Sequence, residues 1–494
     1  MKNVKEIGDY FNIDIEKTTP ITGISYDSRG TKEGDVFVCL VGEKSDGHNF
    51  VKEAEKKGAK LIVAKNKIET TLPVIYVEDT QIALGKLSNL FYNEPSKKLR
   101  IIGVTGTNGK TTTTHLIQHI FEKNNLQTAL IGTLGIRENT LSKYYDAKHT
   151  TPQAPELQKN LSDLLQKGFT HIAMEVSSHA LSLFRVLGCN FAGAVLTNVT
   201  QDHLDFHLTM EDYYLAKRKL FEMLNESSWK NKYAVINKDD PLYNEFSKVV
   251  KKEIKQASYS VKNNADFKAS EINFEADGLS FLLLTPHGKF KVKSKLNGMF
   301  NVYNLLAAIS VSYLEGLEAT KIIEAVKDMR EVAGRFQIIF SENNPDSPLC
   351  IVDYAHTPDG LENILKAARL MTPPENKLIC VFGCGGDRDL TKRPKMGKIA
   401  EEISDLVIVT SDNPRSEDPK QIISDILSGI NNTSNILVEL DRRNAINLAV
   451  KKARKNDVIV IAGKGHEDYQ IFKDKTIHFD DREEVKNAIE KIRC

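Results

Sequence analysis

The chain has 494 residues, of which 41% are hydrophobic and 27% are charged. This length predicts about three domains of roughly 100–200 residues each, with the composition of an ordinary globular protein. The formal net charge is only +1. Such a balance favours neither a nucleic-acid partner nor a membrane surface.

No stretch of the sequence predicts insertion into a membrane. The first residues, MKNVKEIGDYFNIDIEK, are mixed and charged, and no apolar run is long enough to span a bilayer. The six cysteines form no C-x-x-C pair, which predicts reduced thiols rather than disulfides or a zinc site. We therefore expect a cytoplasmic α/β protein without nucleic-acid or membrane partners, and a monomer by default. The cysteines are Cys39, Cys189, Cys350, Cys380, Cys384 and Cys494.

Apolar strand-like runs alternate with amphipathic helical stretches, which predicts parallel sheets with crossover helices. The first strands are ITGISYD, DVFVCLVG, KLIVAK and PVIYVED. A polar break, NEPSKK at 93–98, precedes a fresh strand, LRIIGVTG. This break predicts a first domain at residues 1–98.

A second domain is predicted at residues 99–332. Its further strands are HIAMEVS, FAGAVLTNV and YAVINKDD, and a β-rich patch at 265–295 predicts an antiparallel flap. Helices are predicted over 301–314 and near 320–330.

After REVAGRF (330–336) the pattern restarts, which predicts a doubly wound, Rossmann-like third domain at residues 333–494. Its strands are CIVDYAH, KLICVFGCGGDRD, LVIVTSDNPR, NILVELD and DVIVIAGKGHED. Polar and glycine-rich clusters follow the strands directly, and open α/β sheets bind ligands at that edge. Two sheets with such edges predict a cleft between domains.

The stretch IIGVTGTNGKTTTT resembles a phosphate-binding loop with unusual spacing. A P-loop has Gly, four residues, then Gly-Lys-Ser/Thr, but Val104 stands where the first glycine belongs. A strand before the glycines and a helix after them favour a phosphate site. Lys110 would supply a point charge, and Thr111 could reach Mg²⁺. A helix start with capping threonines alone is the alternative.

Metal-capable side chains follow two further strands. Glu175 lies near the end of the strand HIAMEVS, and Mg²⁺ prefers such hard oxygen ligands. His203 is a less typical Mg²⁺ ligand, and Asp202 and Asp205 beside it could equally cap a helix. Lys217 lies in the basic helical stretch YYLAKRKLF, for which a solvated face is the ordinary interpretation.

Together, G-T-N-G-K-T-T, E-V-S-S-H, T-N-V-x-x-D-H-L-D and A-K-x-x-L-F resemble the Mur ligase family, whose short phosphate loop has this form. These enzymes are ATP-dependent amino-acid ligases that build the peptide of bacterial cell-wall precursors. LNGMFNVYNLLAA, GRFQ, DYAHTPD and GKGHE extend the resemblance along the whole chain. It implies a small N-terminal α/β uridine-nucleotide-binding domain, a central P-loop ATPase-type parallel-sheet domain and a C-terminal Rossmann-like amino-acid-binding domain.

The resemblance also implies a mechanism. A carboxylate attacks the γ-phosphate of ATP to give an acyl phosphate, which an amine then attacks, so catalysis lies mainly in neutralising charge and positioning groups. The implied metal ligands, for two Mg²⁺ ions, are Thr111, Glu175, His203 and Lys217, the last as a carbamate derived from CO₂ (N6-carboxylysine). The implied catalytic residues are Lys110, Glu175, His203 and Lys217.

For ATP, the resemblance implies an adenine-side pair of asparagines and contacts from the third domain to phosphate and ribose. The implied ATP-binding residues are Gly106, Thr107, Asn108, Gly109, Lys110, Thr111, Thr112, Asn301, Asn304, Arg335, Asp353 and His356.

Two segments resemble the family member that adds the third residue of the peptide. They are ISYDSRGTKEGDVFVCLVGEKSDGHNF (24–50) and HTTPQAPEL (149–157). The implied acceptor is UDP-N-acetylmuramoyl-L-alanyl-D-glutamate (UDP-MurNAc-L-Ala-D-Glu). Leu183 departs from the pattern, since some members carry a polar residue there. The implied acceptor-binding residues are Ser28, Thr150, Thr151, Ser177 and Arg185.

The amino acid to be added is either meso-diaminopimelate or L-lysine. Diaminopimelate has a second carboxylate on its distal carbon, for which Arg415 of D-N-P-R offers bidentate donors, while Asp412 and Asn413 can face the ammonium. As a bare tetrapeptide, D-N-P-R would be an ordinary turn. Within the family it predicts diaminopimelate, with the lysine-adding ligase as the alternative. The predicted pocket is Arg388, Asp412, Asn413, Arg415, Gly463 and Glu467.

Two more distant functions remain as alternatives. A folylpolyglutamate synthase would share the ligase chemistry but would leave 24–50 without a role. A P-loop GTPase-like switch protein would need a guanine-specific N-K-x-D element, which NKDD at 237–240 resembles. The loop spacing disfavours the GTPase.

Overall fold

Three sheets built mainly of parallel strands, which follow one another along the chain, organise the molecule. The structure is a computed structural model, and it describes residues 2–42, 45–145, 148–275, 278–339 and 347–491. The predicted α/β class with parallel sheets is confirmed. Cys494 lies outside the described residues, and the other five cysteines are buried free thiols.

The N-terminal unit is a four-stranded parallel sheet with the strand order β3-β4-β5-β6. All residues of β4 and β5 are buried, as expected for strands covered on both faces. Its elements are β1 (Lys2–Asn3), α1 (Val4–Tyr10), β2 (Pro20–Ile21), β3 (Gly23–Ser25), β4 (Asp35–Val38), α2 (Val51–Lys56), β5 (Leu61–Ala64), β6 (Val74–Tyr76) and α3 (Thr80–Phe91).

The central unit is a ten-stranded sheet with the order β16-β15-β14-β13-β12-β11-β7-β10-β8-β9. The predicted antiparallel flap is present as β14 to β16, but it extends this sheet because β14 pairs with β13. The elements are β7 (Arg100–Thr105), α4 (Lys110–Lys123), β8 (Thr128–Gly132), β9 (Gly135–Arg137), α5 (Ala154–Gln166), β10 (His171–Glu175), α6 (Ser178–Ser182), β11 (Phe191–Leu196), α7 (Leu204–His207), α8 (Met210–Glu226), β12 (Tyr233–Asn237), α9 (Tyr243–Ser247), β13 (Lys255–Ser260), β14 (Phe267–Glu275), β15 (Gly278–Thr285), β16 (Gly288–Ser294), α10 (Met299–Leu314) and α11 (Ala319–Lys327).

The third unit is a six-stranded sheet with the order β17-β18-β22-β19-β20-β21, in which only the edge strand β17 is antiparallel to its neighbour. The elements are β17 (Gln337–Ile339), β18 (Leu349–Asp353), α12 (Pro358–Met371), β19 (Leu378–Phe382), α13 (Lys392–Ile403), β20 (Leu406–Val409), α14 (Pro419–Leu427), β21 (Ile436–Val438), α15 (Arg442–Lys452), β22 (Val458–Ala462), β23 (Tyr469–Ile471), β24 (Thr476–His478) and α16 (Asp481–Lys491).

The central strand β7 is buried from both sides by alternating side chains. Ile102 and Val104 pack into the core on the side of α4 and α10, whereas Ile101 packs into the core on the side of α5 and α8. This packing holds the carboxyl ends of β7, β10, β11 and β12 at one edge of the sheet. No helix among the described residues has the length and apolar character needed to cross a membrane.

Candidate active site

A cleft of about 480 Å³ opens at the carboxyl edge of the central sheet and is closed on its far side by the third unit. The central unit contributes the loop before α4 and the ends of β10, β11 and β12. The third unit contributes Arg335 and residues around the end of β18 and the start of α12. The predicted cleft between domains is therefore present.

The short phosphate loop turns tightly between β7 and α4. Val104, where a longer P-loop would have its first glycine, lies within β7 and is fully buried. Gly106 has φ +151°, and a Cβ there would overlap the Thr197 hydroxyl. Gly109 adopts a left-handed conformation with φ +85° directly before the helix. The loop therefore begins at Gly106, directly after the last residue of β7, and leads to the N-terminus of α4 at Lys110.

The predicted ATP-binding residues of this loop share one wall of the cleft. Backbone amides of Thr107 and Asn108 are held by Asn198, at 2.8 and 2.9 Å. Gly106 lies beneath the wall, where its carbonyl accepts bonds from two lysines. The loop residues that line the cleft are Thr107, Asn108, Gly109, Lys110, Thr111 and Thr112.

Two lysine side chains converge on the carbonyl oxygen of Gly106. The Nζ atoms of Lys110 and Lys217 each donate to it at 2.8 Å. Lys217 is only 1% exposed and lies 4.2 Å from the centre of the Tyr213 ring. Burial lowers the pKa of Lys217 well below the ordinary lysine value, and the charge of Lys110 lowers it further. The interpretation of this helix as a solvated basic face is therefore wrong for Lys217.

Glu175 and Thr111 place hard oxygen atoms at the foot of the loop. Glu175 pairs with Val104 in the β10–β7 register and is fully buried. The Thr111 hydroxyl donates to Glu175 Oε2 at 3.0 Å, and the Thr133 amide and hydroxyl also donate to this carboxylate at 2.9 and 3.0 Å. The carboxylate is therefore fixed in orientation at the predicted metal site.

A metal ion at this point would need further ligands from outside the protein. Among the residues that the structure describes, no group of three or more His, Cys, Asp or Glu side chains could hold a metal ion. Mg²⁺ typically takes one or two carboxylates and keeps waters and phosphate oxygens as its other ligands. The pair of Glu175 and Thr111 fits that requirement.

His203 lies in a network of imidazoles beside Asp202. Its Nε2 is 3.2 Å from Asp202 Oδ2, and His356 from the third unit approaches the same oxygen at 3.7 Å. Burial lowers the pKa of His203 to about 3, so its imidazole is neutral at neutral pH and can act as a ligand. Asp202 does not cap α7, since His203 itself is the N-cap residue.

The predicted adenine-side asparagines occupy different depths. Asn304 lines the cleft, whereas Asn301 lies behind it and is not part of the lining. Asn304 donates to Asn301 Oδ1 at 3.0 Å, and Asn301 donates to the Asn297 carbonyl at 2.7 Å. Asn301 therefore orients Asn304 from below.

The third unit brings Arg335 onto the phosphate loop. Its Nη2 donates to the Thr111 hydroxyl at 3.0 Å, and its guanidinium stacks 4.4 Å from the centre of the Tyr354 ring. Asp353 also lines the cleft, but its two carboxylate oxygens accept bonds from the amides of Phe336 and Ala355. A ribose hydroxyl would have to share these oxygens.

Four of the predicted acceptor-binding residues meet below Glu175. The Thr151 hydroxyl donates to the Glu175 carbonyl at 2.8 Å and accepts from the Ser177 amide at 3.1 Å. Arg185 donates to the Thr151 carbonyl at 3.2 Å, and Thr150 lines the cleft with Ser177. This cluster leads from the predicted metal site towards the N-terminal unit.

Ser28 lies in the N-terminal unit and is not part of the cleft lining. Its hydroxyl donates to Glu53 Oε2 at 2.9 Å. Leu183 follows α6 as its C-cap residue and offers no polar group, so the departure from the family pattern stands.

The predicted amino-acid pocket forms at the ends of β20 and β22 in the third unit. Asn413 donates to Glu467 Oε2 at 2.9 Å, and a Cβ on Gly463 would lie 2.6 Å from Asp412 Oδ2. Arg415 adopts a left-handed conformation with φ +53° and donates to the Gly386 carbonyl at 2.7 Å. Four of the predicted residues therefore lie close together, and Arg415 lies at the edge of this group. The four are Asp412, Asn413, Gly463 and Glu467.

Arg388 lies on the loop that Arg415 contacts. A Cβ on Gly385 would lie 2.8 Å from Arg415 Nη1 and 3.8 Å from Arg388 Cγ, so both arginines flank this glycine. The Arg388 guanidinium donates to the Asp387 carbonyl at 2.8 Å.

Comparison with known proteins agrees with this arrangement. The Mur ligase family, catalytic domain, matches residues 20–92, the Mur ligase middle domain matches 104–312, and the Mur ligase glutamate ligase domain matches 334–465. The chain belongs to the Mur ligase family.

Among its relatives, this Mur ligase is similar to proteins named UDP-N-acetylmuramoyl-L-alanyl-D-glutamate--2,6-diaminopimelate ligase. The protein of Clostridium botulinum is 46% identical over 97% of both chains. That of Listeria monocytogenes serovar 1/2a is 43% identical over 97% of this chain and 96% of its own length.

Solved structures support the three-domain fold. A structure with the same ligase name is 35% identical, has a TM-score of 0.70 and covers 99% of both chains. The structure of MurF ligase from Thermotoga maritima in complex with ADP, at 21% identity and a TM-score of 0.65, shows likeness of fold alone. A folylpolyglutamate synthase from Mycobacterium tuberculosis is 16% identical with a TM-score of 0.60, and it covers 78% of this Mur ligase.

The N-K-x-D sequence that suggested a GTPase has internal roles in the Mur ligase. Asn237 donates to the Thr197 carbonyl at 2.8 Å. Asp240, the aspartate of this element, accepts bonds from the amides of Val199 and Leu242 at 2.7 and 2.9 Å. Its carboxylate therefore fixes the loops after β11 and β12 instead of being free to bind a guanine base.

Three residues at the site were missed from the sequence. Thr133 orients Glu175, and no sequence motif marks it. Asp359 accepts from Asn108 Nδ2 at 2.6 Å, and Lys464 donates to Glu467 at 3.0 Å. Asp359 and Lys464 lie within DYAHTPD and GKGHE, so those motifs contained the signal.

Proposed function

We propose that the chain joins meso-diaminopimelate to UDP-MurNAc-L-Ala-D-Glu with hydrolysis of ATP to ADP and phosphate. The observation that carries the proposal is the bond from Arg335 to Thr111, since it joins the phosphate loop to the unit that contains D-N-P-R. ATP and the incoming amine would then meet in one cleft. The names of relatives at 43–46% identity support the same reaction.

The chemistry begins with the D-glutamate carboxylate. One of its oxygens attacks the γ-phosphorus of ATP, ADP leaves, and an acyl phosphate forms. Lys110 and Arg335 bring positive charge to the phosphate oxygens, which offsets the repulsion between the two anions. The amine of diaminopimelate then attacks the acyl carbon, loses a proton and expels phosphate, so that an amide bond results.

The proposal includes two Mg²⁺ ions. Thr111 and Glu175 would hold one ion, and His203 with carbamylated Lys217 would hold the other. Bound Mg²⁺ supplies positive charge that neutralises phosphate oxygens. The carbamate is supported by the low pKa of Lys217, because only a neutral amine can add to CO₂.

The acceptor would extend from this cleft to the N-terminal unit. Thr150, Thr151, Ser177 and Arg185 would hold its muramoyl-peptide portion, and Ser28 its uracil side. We further propose domain boundaries after residues 98 and 332, and a cytoplasmic monomer that makes peptidoglycan precursors.

Selectivity for diaminopimelate would come from the D-N-P-R loop. The Arg415 guanidinium lies at the edge of the pocket and can bind the distal carboxylate through two parallel bonds. Lysine lacks this carboxylate, so the arginine would be left without its partner. The lysine-adding ligase of the same family is the second candidate.

The test measures ADP release from purified protein with ATP, Mg²⁺ and UDP-MurNAc-L-Ala-D-Glu. We expect turnover with meso-diaminopimelate to exceed turnover with L-lysine by at least about 100-fold. Omission of the acceptor should abolish it. Turnover with lysine alone would contradict the choice of amino acid, and a preference for GTP over ATP would contradict the ligase.

A further inference from the structure

A fully buried ion pair lies behind the two loops of the proposed amino-acid pocket. Arg442 is the first residue of α15, and Asp481 is the first residue of α16. Arg442 Nε and Nη2 donate to the two Asp481 carboxylate oxygens at 2.8 Å each. Both side chains are 0% exposed.

The guanidinium of Arg442 also binds the backbone of both pocket loops. Its Nη2 donates to the Ala462 carbonyl at 2.9 Å, and its Nη1 donates to the Ser411 carbonyl at 3.4 Å. Ala462 directly precedes Gly463, and Ser411 directly precedes Asp412. One side chain thus joins the two strand ends from which the pocket residues extend.

The two loops touch at the point that Arg442 supports. Gly463 has φ +117°, and a Cβ there would lie 2.6 Å from Asp412 Oδ2. Gln470 donates to the Asp412 carbonyl at 2.7 Å from a third direction. A small shift of either strand end would therefore move the Asp412 carboxylate relative to Gly463.

Stability alone is a weak reason for this pair. Replacing a buried ion pair by apolar side chains of similar volume is often neutral or stabilising, because two charges must be taken out of water. An apolar pair could not donate hydrogen bonds to the Ala462 and Ser411 carbonyls, as Arg442 does. The pair is therefore suited to holding two backbone segments at a fixed spacing.

We infer that Arg442, oriented by Asp481, is a positioning residue that sets the spacing of the two amino-acid-binding loops. It touches none of the reacting groups and acts through Asp412 and Gly463. The inference rests on the proposed function, since that function assigns the incoming amino acid to these loops.

The first test variant is Arg442→Lys. A lysine keeps a charge for Asp481, but its single nitrogen cannot also span both carbonyls. We expect the KM for diaminopimelate to rise about tenfold or more, because small misplacements of binding groups are costly. The KM for ATP and for the UDP-linked acceptor should stay within about twofold. Mere destabilisation would instead lower kcat through the folded fraction and leave every KM unchanged.

Arg443→Lys is the matched control. Arg443 is the next residue of the same helix, has a half-exposed side chain and pairs with Glu484 at 2.8 Å. Its substitution should leave the KM for diaminopimelate unchanged. An equal rise in this control would overturn the inference.

The double variant Arg442→Met/Asp481→Leu removes both charges together. We expect it to fold, as judged by circular dichroism and thermal melting, with the same rise in KM for diaminopimelate. A KM within about twofold of the parent in either folded variant overturns the inference. Failure of both variants to fold would assign the pair to stability and would overturn it as well.

The parent protein separates this inference from the proposed function. If the parent used only lysine, the proposed choice of amino acid would be wrong. The same comparison with the KM for lysine would then test Arg442.

Discussion

Lys217 is a buried lysine whose amine lies beside that of Lys110. Burial and the charge of Lys110 lower the pKa of Lys217 well below the ordinary lysine value, which favours the neutral amine. We expect Lys217→Arg to lower kcat by at least about 100-fold, since arginine stays protonated and cannot take up CO₂. Phosphate release measures kcat, and ¹³C NMR with labelled CO₂ detects the carbamate in the parent alone.

Lys219→Arg serves as the control for this prediction. Lys219 lies on the same helix with its Nζ 5.3 Å from the centre of the Phe184 ring, and it is partly exposed. Its substitution should leave kcat within about twofold of the parent. Parent-like turnover of Lys217→Arg would rule out the carbamate.

For single residues, the sequence predicts which side chains lie at the sheet edge better than it predicts how deeply each one is buried. The positions of Thr111 and Glu175 at one edge of the sheet could be predicted, because Glu175 ends β10, Thr111 follows β7, and parallel strands end at one edge of a sheet. The burial of Lys217 could not, because it depends on Tyr213 and on a carbonyl 111 positions away in the chain. Only the family pattern separated Lys217 from its solvated neighbours.

The β7–loop–α4 element explains why the phosphate loop lacks the usual first glycine. Val104 belongs to the strand, and its side chain fills the core beneath α4. We expect Val104→Gly to lower the free energy of unfolding by about 2–4 kcal/mol, from lost burial and added backbone entropy. Denaturant unfolding measures this loss.

The same substitution should not improve ATP binding. Val104→Gly restores the longer consensus spacing, but Gly106 still makes the turn. We therefore expect the KM for ATP in the folded variant to be no lower than in the parent. Val104→Ala is the control, since it loses only packing and should be less destabilised. A clearly lower KM for ATP in Val104→Gly would mean that the loop begins at residue 104.

Long strands and helices could be predicted from the sequence, whereas short edge elements could not. β7, β10, β11 and β22 are five or six residues long, mostly apolar and almost entirely buried, so their pattern is distinct. β17, β23 and β24 have three residues each, too few for a period to be read. These strands form only because they pair with other strands, β17 with β18 and β23 with β24.

At the scale of the whole molecule, the third unit completes the cleft through a few polar contacts with the phosphate loop. Arg335 reaches Thr111, and Asp359 at the start of α12 reaches Asn108. The sequence indicated that two sheets would face each other. It could not indicate their orientation, because these contacts join positions 224 and 251 residues apart.

The contact between Asp359 and Asn108 should therefore contribute to ATP use. Asn108 Nδ2 donates to Asp359 Oδ2 at 2.6 Å across the two units, and the carboxylate lies in the cleft wall. A hydrogen bond to a charged group is worth about 1.5–3 kcal/mol. We expect Asp359→Ala to lower kcat/KM for ATP by about tenfold or more, as measured by steady-state ADP release.

Glu362→Ala tests whether any charge lost from this helix has the same effect. Glu362 lies one turn further along α12, where it pairs with Lys366 at the surface. Such exposed pairs contribute about 0–1 kcal/mol, so this variant should keep the kcat/KM of the parent. Equal losses in the two variants would mean that the charge of α12, and not the bond to Asn108, joins the third unit to the phosphate loop. A loss confined to Asp359→Ala, with an unchanged melting temperature, is the result expected if this bond holds the cleft together.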